Sequence, residues 1–320
     1  MRLISLANPF WYARLAERFL LHRPYSCARG YFSFRRAKPV AEHLGLASMR
    51  IDRFGRHLGK LDVLSGHVGR GLRTILNPVS CVRYFEFDFC LRQLPQSPLL
   101  VLDISSPRLL PLYLASQHKN AKFVLLNPDT SDISVTQHYV NILGLQNVEL
   151  HNCPLDALLD TYQGRFDLVS SVSVIEHIAG EYDDKEGMSL MLKYLKPGGV
   201  LALTVPCSEN HRHEDEYLPS GSKPYEGTHA VMADDGRLFF QRLYTEDSIY
   251  ERLLSRKHEG DDVYLEFCGE KEKGVYHRFS RSRLYNVGLD CEVFVNSFAH
   301  YQHYAEMPGM GICGIKVMRQ

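Results

Sequence analysis

The sequence predicts a doubly wound α/β fold, on three observations. The run LLVLDI at 99–104, VLALTV at 200–205, fed by the turn LKPGG at 195–199, and, between them, KFVLL at 122–126 and FDLVSS at 166–171 are apolar stretches. Runs of this kind are strands buried on both faces of a parallel sheet. Helix-compatible segments, such as 109–118 and 134–143, separate them, so the connections are βαβ crossovers.

Taken from the amino end, residues 3–20 carry Ile4, Ala7, Trp11, Leu15 and Phe19 at helical spacing, flanked by Arg14, Arg18 and Arg23. An aromatic, basic helix either caps a core or lies in a membrane interface. Residues 29–71 are rich in Arg, Gly and His, and 65–71 lacks the Gly-Lys-Ser/Thr ending of a phosphate loop, so it reads as a turn. Residues 79–94 alternate Tyr84, Phe85, Phe87 and Phe89 with charge, which leaves strand and helix both open. The domain boundary is placed near Gln96, giving a basic, mostly helical extension at 1–96 and a sheet domain at 97–320. A weaker strand lies at 148–151. Beyond Pro206, residues 207–236 are polar with several Pro and Gly and read as a long loop, Thr245 caps a helix to about Arg256, and 263–267 and 311–317 are the sixth and seventh strands. The long segments 207–236 and 271–309 are the expected substrate walls.

The chain has 320 residues with 37 basic and 37 acidic side chains, 45% hydrophobic and 11% aromatic content, enough for a substantial core. The zero net charge hides a split, since residues 1–96 carry 16 Lys and Arg against 6 Asp and Glu. That half docks on an acidic surface or faces an anionic partner. No apolar run approaches ~20 residues, and no secretory leader is evident, so the expected address is cytoplasmic, with peripheral contact to an anionic membrane as the alternative. Eight scattered Cys without a Cys-x-x-Cys pair read as reduced, buried thiols. His211, His213, Glu214, Asp215 and Glu216, with His229, are rich in ligand atoms but contiguous, and read as a solvated loop with no metal. His300, Tyr301, His303 and Tyr304 form either a substrate wall or an aromatic core edge.

Ligands of doubly wound sheets bind outside the carboxyl ends of the strands. The expected site is therefore built from 103–108, 127–130, 153–156 and 171–177. The ordered set of Asp103 ending the first strand, Asn127 and Asp129 ending the second, FDLV at 166–169, VIEHI at 174–178 and LKPGG at 195–199 resembles class I S-adenosylmethionine-dependent methyltransferases. The resemblance implies a Rossmann-like, seven-stranded methyltransferase sheet with S-adenosylmethionine as cofactor. It places Asp103 at the cofactor's amino group and Asn127 or Asp129 at its ribose, with Asp156, Ser171 and Ser173 along the cleft. The family's first loop is glycine-rich, whereas here it reads Ser105-Ser106-Pro107-Arg108, so either the serine hydroxyls of Ser105 and Ser106 act as donors or binding is lost.

Adenosylmethionine carries its own activated methyl group, so the protein must align a nucleophile and, for a hydroxyl, remove a proton. His177, beside Glu176, is the candidate general base, its other reading being an imidazole satisfied by backbone groups. Asp103 also reads as a strand-end helix cap, and Ser171 and Ser173 as ordinary strand-end polarity. The expected function is methyl transfer to a small-molecule or glycan-like acceptor. The alternative is a non-catalytic methyltransferase-like scaffold or membrane-associated partner protein. Nucleic acid is disfavoured, because the sheet half is acidic and the basic half has no recognition motif.

Overall fold

The computed structural model describes residues 23–97, 100–208, 214–223, 231–282 and 288–320. The expected helix at 3–20 lies outside them. The α-helices described up to residue 194 are, in order, α1 (Arg23–His43), α2 (Ser48–Leu64), α3 (Val68–Leu76), α4 (Arg83–Gln93), α5 (Leu109–Gln117), α6 (Thr130–Leu143) and α7 (Asp184–Tyr194). The chain divides into two compact units, the first ending at Cys81 and reclaiming Val275–Asn296, the second formed by Val82–Gly274 and Ser297–Gln320. The division falls before α4 rather than near Gln96.

In the first unit, α2 and α3 meet backbone to backbone. A Cβ on Gly71 would stand 2.5 Å from the Gly59 carbonyl oxygen, and one on Gly59 2.7 Å from that of Gly71. Neither glycine has room for a methyl group, so Gly71, in the segment 65–71 that reads as a turn, lies instead in a helix that crosses another closely. Two buried carboxylates tie the pair. Asp62 of α2 takes a forked bond from Arg70 of α3 at 2.6 and 2.8 Å, and Asp52 holds Arg56, whose guanidinium also reaches the Ile75 carbonyl at 2.6 Å. We expect Gly71→Ala to destabilise this unit by about 1–3 kcal/mol, the usual range for overpacking. A thermal midpoint unchanged from the parent would show that the helices separate without cost.

The second unit is the predicted α/β sheet. Its strands are β1 (Leu100–Ile104), β2 (Lys122–Leu126), β3 (Val148–His151), β4 (Phe166–Val172), β5 (Leu195–Cys207), β6 (Glu214–Leu218), β7 (Leu238–Leu243), β8 (Asp262–Glu270), β9 (Phe298–Tyr301) and β10 (Gly311–Met318). The main sheet runs β3-β2-β1-β4-β5-β10-β8-β9. The β3-to-β5 portion is parallel, and β10 runs antiparallel between β5 and β8. The sheet has eight strands rather than seven, because 298–301 adds an edge strand antiparallel to β8. The order reverses between β1 and β4, which makes their carboxyl ends the switch point.

Local chemistry accounts for the connections. The Pro197-Gly198-Gly199 turn lies inside the long β5, where a Cβ on Gly199 would meet the Phe166 carbonyl at 2.7 Å. Thr245 and Ser248 form a reciprocal cap on a helical stretch that begins at Glu246–Ser248, widens to a π-turn over Ile249–Leu253 and tightens over Leu254–Arg256. Of residues 79–94, Arg83–Gln93 form a helix, α4. In α4 seven successive residues from Tyr84 to Cys90 are buried, so no apolar stripe could betray it.

The expected loops carry regular structure. Within 207–236, β6 pairs with β7 as a separate two-stranded sheet, and 271–309 contains helices Val275–Arg281 and Asp290–Ser297 besides β9. Cys81, Cys90, Cys207, Cys268, Cys291 and Cys313 are buried, and none of the seven cysteines whose side chains are described is in a disulfide.

Candidate active site at the carboxyl edge

Asp103 ends β1 almost wholly buried, accepting hydrogen bonds from the Ser170 hydroxyl at 2.7 Å and the Ser106 N–H at 3.2 Å. Burial pushes its carboxyl up to about 6, and the Ser170 and Ser106 hydrogen bonds oppose that rise. Ser105 has φ +52°, the left-handed conformation that glycine adopts without strain. The loop therefore keeps the backbone turn of a glycine-rich loop with a different side chain. The serine hydroxyls, however, are committed to the sheet. Ser105 donates from both its N–H and its hydroxyl to the Leu126 carbonyl, and the Ser106 hydroxyl accepts from the Val172 N–H at 3.1 Å. They sew the loop to β2 and β4, and the Ser105 hydroxyl hydrogen is spent there in place of the expected donor role toward a ligand.

At the end of β2 the candidate ribose residues are engaged with one another. Asp129 caps α6 by accepting from the Asp132 N–H at 2.9 Å, while the Asn127 side chain accepts from the Asp129 N–H and donates to Asp132 at 3.0 Å. Arg108, from the β1 loop, closes the network on Asp132. Asp156 is exposed on a single turn, Leu155–Ala157. Its charge helps burial raise the Tyr182 phenol, whose hydroxyl is buried and has no hydrogen-bond partner among the described residues.

The chemistry concentrates after β4. Ser171 is fully buried and donates to the Ile104 carbonyl, so it is part of the sheet and does not line the cleft. Ser173, at φ +48°, turns the chain and gives its hydroxyl hydrogen to Glu86. Glu86 is wholly buried on α4, accepts also from the Thr204 hydroxyl at 3.0 Å, and pairs with Arg83 at 2.7 Å.

Glu176 is 1% exposed, its Oε2 makes no hydrogen bond among the described residues, and burial pushes its carboxyl up to about 8. The His177 Nδ1 lies 2.6 Å from the Phe240 carbonyl, which only accepts, so Nδ1 carries the hydrogen and Nε2 the lone pair. Burial lowers the His177 pKa against that hydrogen bond, and its Nε2 stands 3.9 Å from Glu176 Oε1. At neutral pH the pair is a neutral imidazole beside a neutral carboxylic acid.

That protonation state has a cost at high pH. The Glu176 carboxyl titrates near 8 when folded and near the ordinary glutamate value, about 4.3, when unfolded. The stability it contributes is full below the unfolded value and is lost as pH rises through about 8. We expect Glu176→Gln to flatten the decline in stability between about pH 4.5 and 8, measured by urea unfolding across that range. An unchanged slope would place the titration elsewhere.

A second buried cluster fixes the Phe240 carbonyl. Asp184, at the start of α7, accepts from Tyr244 at 2.8 Å and from Arg252 Nε at 2.8 Å, and Arg242 of β7 stands 3.6 Å from it while donating to the Ile178 carbonyl. β7 is thereby pinned beside the turn that carries His177.

Sequence reasoning brings Asp103, Ser173, Glu176 and His177 to one edge, and misses Arg83, Glu86, Thr204 and Asp184. The available signal for Glu86 is a carboxylate bracketed by four aromatics. His211, His213 and His229 lie outside the described residues, and Glu214, Asp215 and Glu216 belong to β6 rather than to a loop. Tyr304 is core, donating to the Ser208 carbonyl at 3.0 Å. His300 and Tyr301 line a shallow cavity of about 400 Å³ with Arg92, Tyr264 and Glu266, where Arg92 grips Glu266 through two bonds of 2.9 and 3.0 Å.

No protein-family model matches the chain, and no curated protein matches it. Solved structures similar to it include coclaurine N-methyltransferase bound to N-methylheliamine and SAH, 12% identical over 73% of this chain and 70% of that one, with a TM-score of 0.48. Another is a putative S-adenosylmethionine-dependent methyltransferase from Listeria monocytogenes, 13% identical over 73% and 98%, TM-score 0.45. A third is the 4+2 cyclase SpnF, 12% identical over 73% and 80%, TM-score 0.44.

Proposed function

We propose that the second unit binds S-adenosylmethionine at the carboxyl edge of β1, β2 and β4 and transfers its methyl group to a small-molecule or glycan-like acceptor. The observation that carries this reading is His177, held neutral with its Nε2 lone pair beside a neutral Glu176 at the switch point of the sheet. The edge fits the cofactor in its backbone, through the left-handed turn at Ser105, and in the buried Glu176 Oε2 and Tyr182 hydroxyl, which lack hydrogen-bond partners among the described residues. Asp103 and the β1 loop would hold the amino-acid end, Asn127, Asp129 and Asp132 the ribose, and Asp156 with Tyr182 the base. Ser171 drops out of this set because its hydroxyl is spent inside the sheet.

Bound there, the cofactor supplies a methyl group on a sulfonium that departs with the electrons of the broken bond. His177 Nε2 takes the proton of an acceptor hydroxyl, and the Phe240 carbonyl stabilises the resulting imidazolium through Nδ1–H. Glu176, protonated, donates a hydrogen bond to the acceptor oxygen and thus orients it.

Isothermal calorimetry with adenosylmethionine and its demethylated product tests the reading. Asp103→Ala should weaken binding by about 1–3 kcal/mol, the cost of losing a charged hydrogen-bond partner. No measurable binding by the parent protein at millimolar cofactor overturns it. That outcome favours the second reading, a scaffold, for which the Arg108–Asp132–Asn127 network is the specific support, since Arg108 and Asn127 already bond to Asp132.

A further inference from the structure

We propose that the outward face of α1 docks on an anionic phospholipid surface, a reading independent of methyl transfer. Gly30, Ser33, Ala37 and Ala41 are buried and form one side of this 21-residue helix, with the Ser33 hydroxyl bonded to Glu292 of the same unit. Stepping ~100° per residue, Tyr25, Ala28, Phe32 and Pro39 fall in a single stripe opposite that side, and all four are exposed, Tyr25 at 67% and Phe32 at 61%. The same count sets Arg29 and Arg36 along one border of the stripe and Arg35 along the other.

All three cations are exposed, with Arg35 over the Tyr31 ring at 5.8 Å. The Arg36 side chain is 74% exposed with Glu292 at 3.8 Å, and Arg29 and Arg35 form no ion pair among the described residues. Residues 23–41 contain no acidic side chain. Glu42 stands at the far end of the helix, 3.9 Å from both Lys38 and Arg53.

An apolar stripe bordered by Arg29 and Arg36 on one side and Arg35 on the other matches the boundary between headgroups and acyl chains. The aromatic rings lose water there, and the long arginine stems carry their charge back to the phosphates. Other occupants fit less well. A second copy would lay these arginines against arginines. Residues 1–22 of the chain hold three Arg and one Glu, so they share the sign of the face. A nucleic-acid backbone would satisfy the arginines and leave the Phe32–Pro39 stripe uncovered.

The test is co-sedimentation of the full chain with phosphatidylserine–phosphatidylcholine vesicles and with phosphatidylcholine vesicles alone. Binding is expected to the anionic vesicles only and to fall as salt is raised. The triple variant R29Q/R35Q/R36Q should bind about 100-fold more weakly, from about 1 kcal/mol for each cation near the surface. Phe32→Ser should weaken binding about tenfold or more at every salt concentration. All these side chains are exposed, so an unchanged thermal midpoint shows that the variants remain folded. No binding of the parent protein to anionic vesicles overturns the proposal, as does binding that both variants leave intact. Binding that appears only after residues 1–22 are deleted assigns the face to that segment, and tighter binding of a duplex oligonucleotide that is indifferent to Phe32 assigns it to nucleic acid. A dimer in sedimentation velocity that Phe32→Ser dissolves assigns it to a second copy. Each of these three results also overturns the proposal.

Discussion

Asp184→Ala should destabilise the sheet unit by about 3–5 kcal/mol, the cost of removing one partner from a buried ionic cluster. The carboxylate has no exposure and receives the Tyr244 hydroxyl and the Arg252 guanidinium. Hydrogen bonding to Asp184 holds the Arg252 pKa above its ordinary range, and burial followed by the Asp184 charge raises the Tyr244 phenol. Truncation leaves the buried Tyr244 phenol without its acceptor and the half-buried Arg252 with Asp183 as its remaining carboxylate partner. It also frees the end of β7, where Arg242 bridges Asp184 and the Ile178 carbonyl, and with it the carbonyl that fixes the His177 tautomer. Urea unfolding gives the magnitude. Arg252→Ala combined with Asp184→Ala should cost less than the two single changes added, because the second removes a group already stranded. A single-variant loss under 1 kcal/mol, or strict additivity, would mean that the cluster relaxes into water.

How much of this was readable beforehand depends on the range of the interaction. β1, β2, β4 and β5 were legible because strands buried on both faces write themselves as unbroken apolar runs. The Thr245 cap was legible because its partner, Ser248, is three residues away. Helix α4 was not, since burial on all sides removes the helical period and leaves only an apparent alternation of aromatics and charge. The network that α4 carries was further out of reach. Glu86 meets Ser173 and Thr204 across 87 and 118 residues, and nothing local in any of the three announces the others. Asn127 and Asp129 show the opposite error. Read as ribose ligands, they also serve as the turn and cap that start α6, work that the residues next to them determine.

The second large effect is on the rate. His177→Ala should lower turnover by a factor on the order of 100, the lower range for loss of a general base, while the affinity for adenosylhomocysteine stays within about twofold. The argument rests on which nitrogen is basic. The Phe240 carbonyl consumes Nδ1–H, so only Nε2 can accept a proton, and burial keeps the ring neutral by lowering its pKa. The rate should therefore rise through a pKa below the ordinary histidine value and fall again as Glu176 ionises near 8, since an ionised carboxylate cannot donate to the acceptor oxygen. Glu176→Gln keeps a donor at that position without a titrating proton, and should preserve turnover while removing the alkaline fall. The measurement is release of adenosylhomocysteine across pH with a panel of hydroxyl-bearing acceptors. If His177→Ala loses cofactor affinity or unfolds, the imidazole is a strut between the β4 turn and β7; if the alkaline fall survives Glu176→Gln, the proton that limits the reaction belongs to another group.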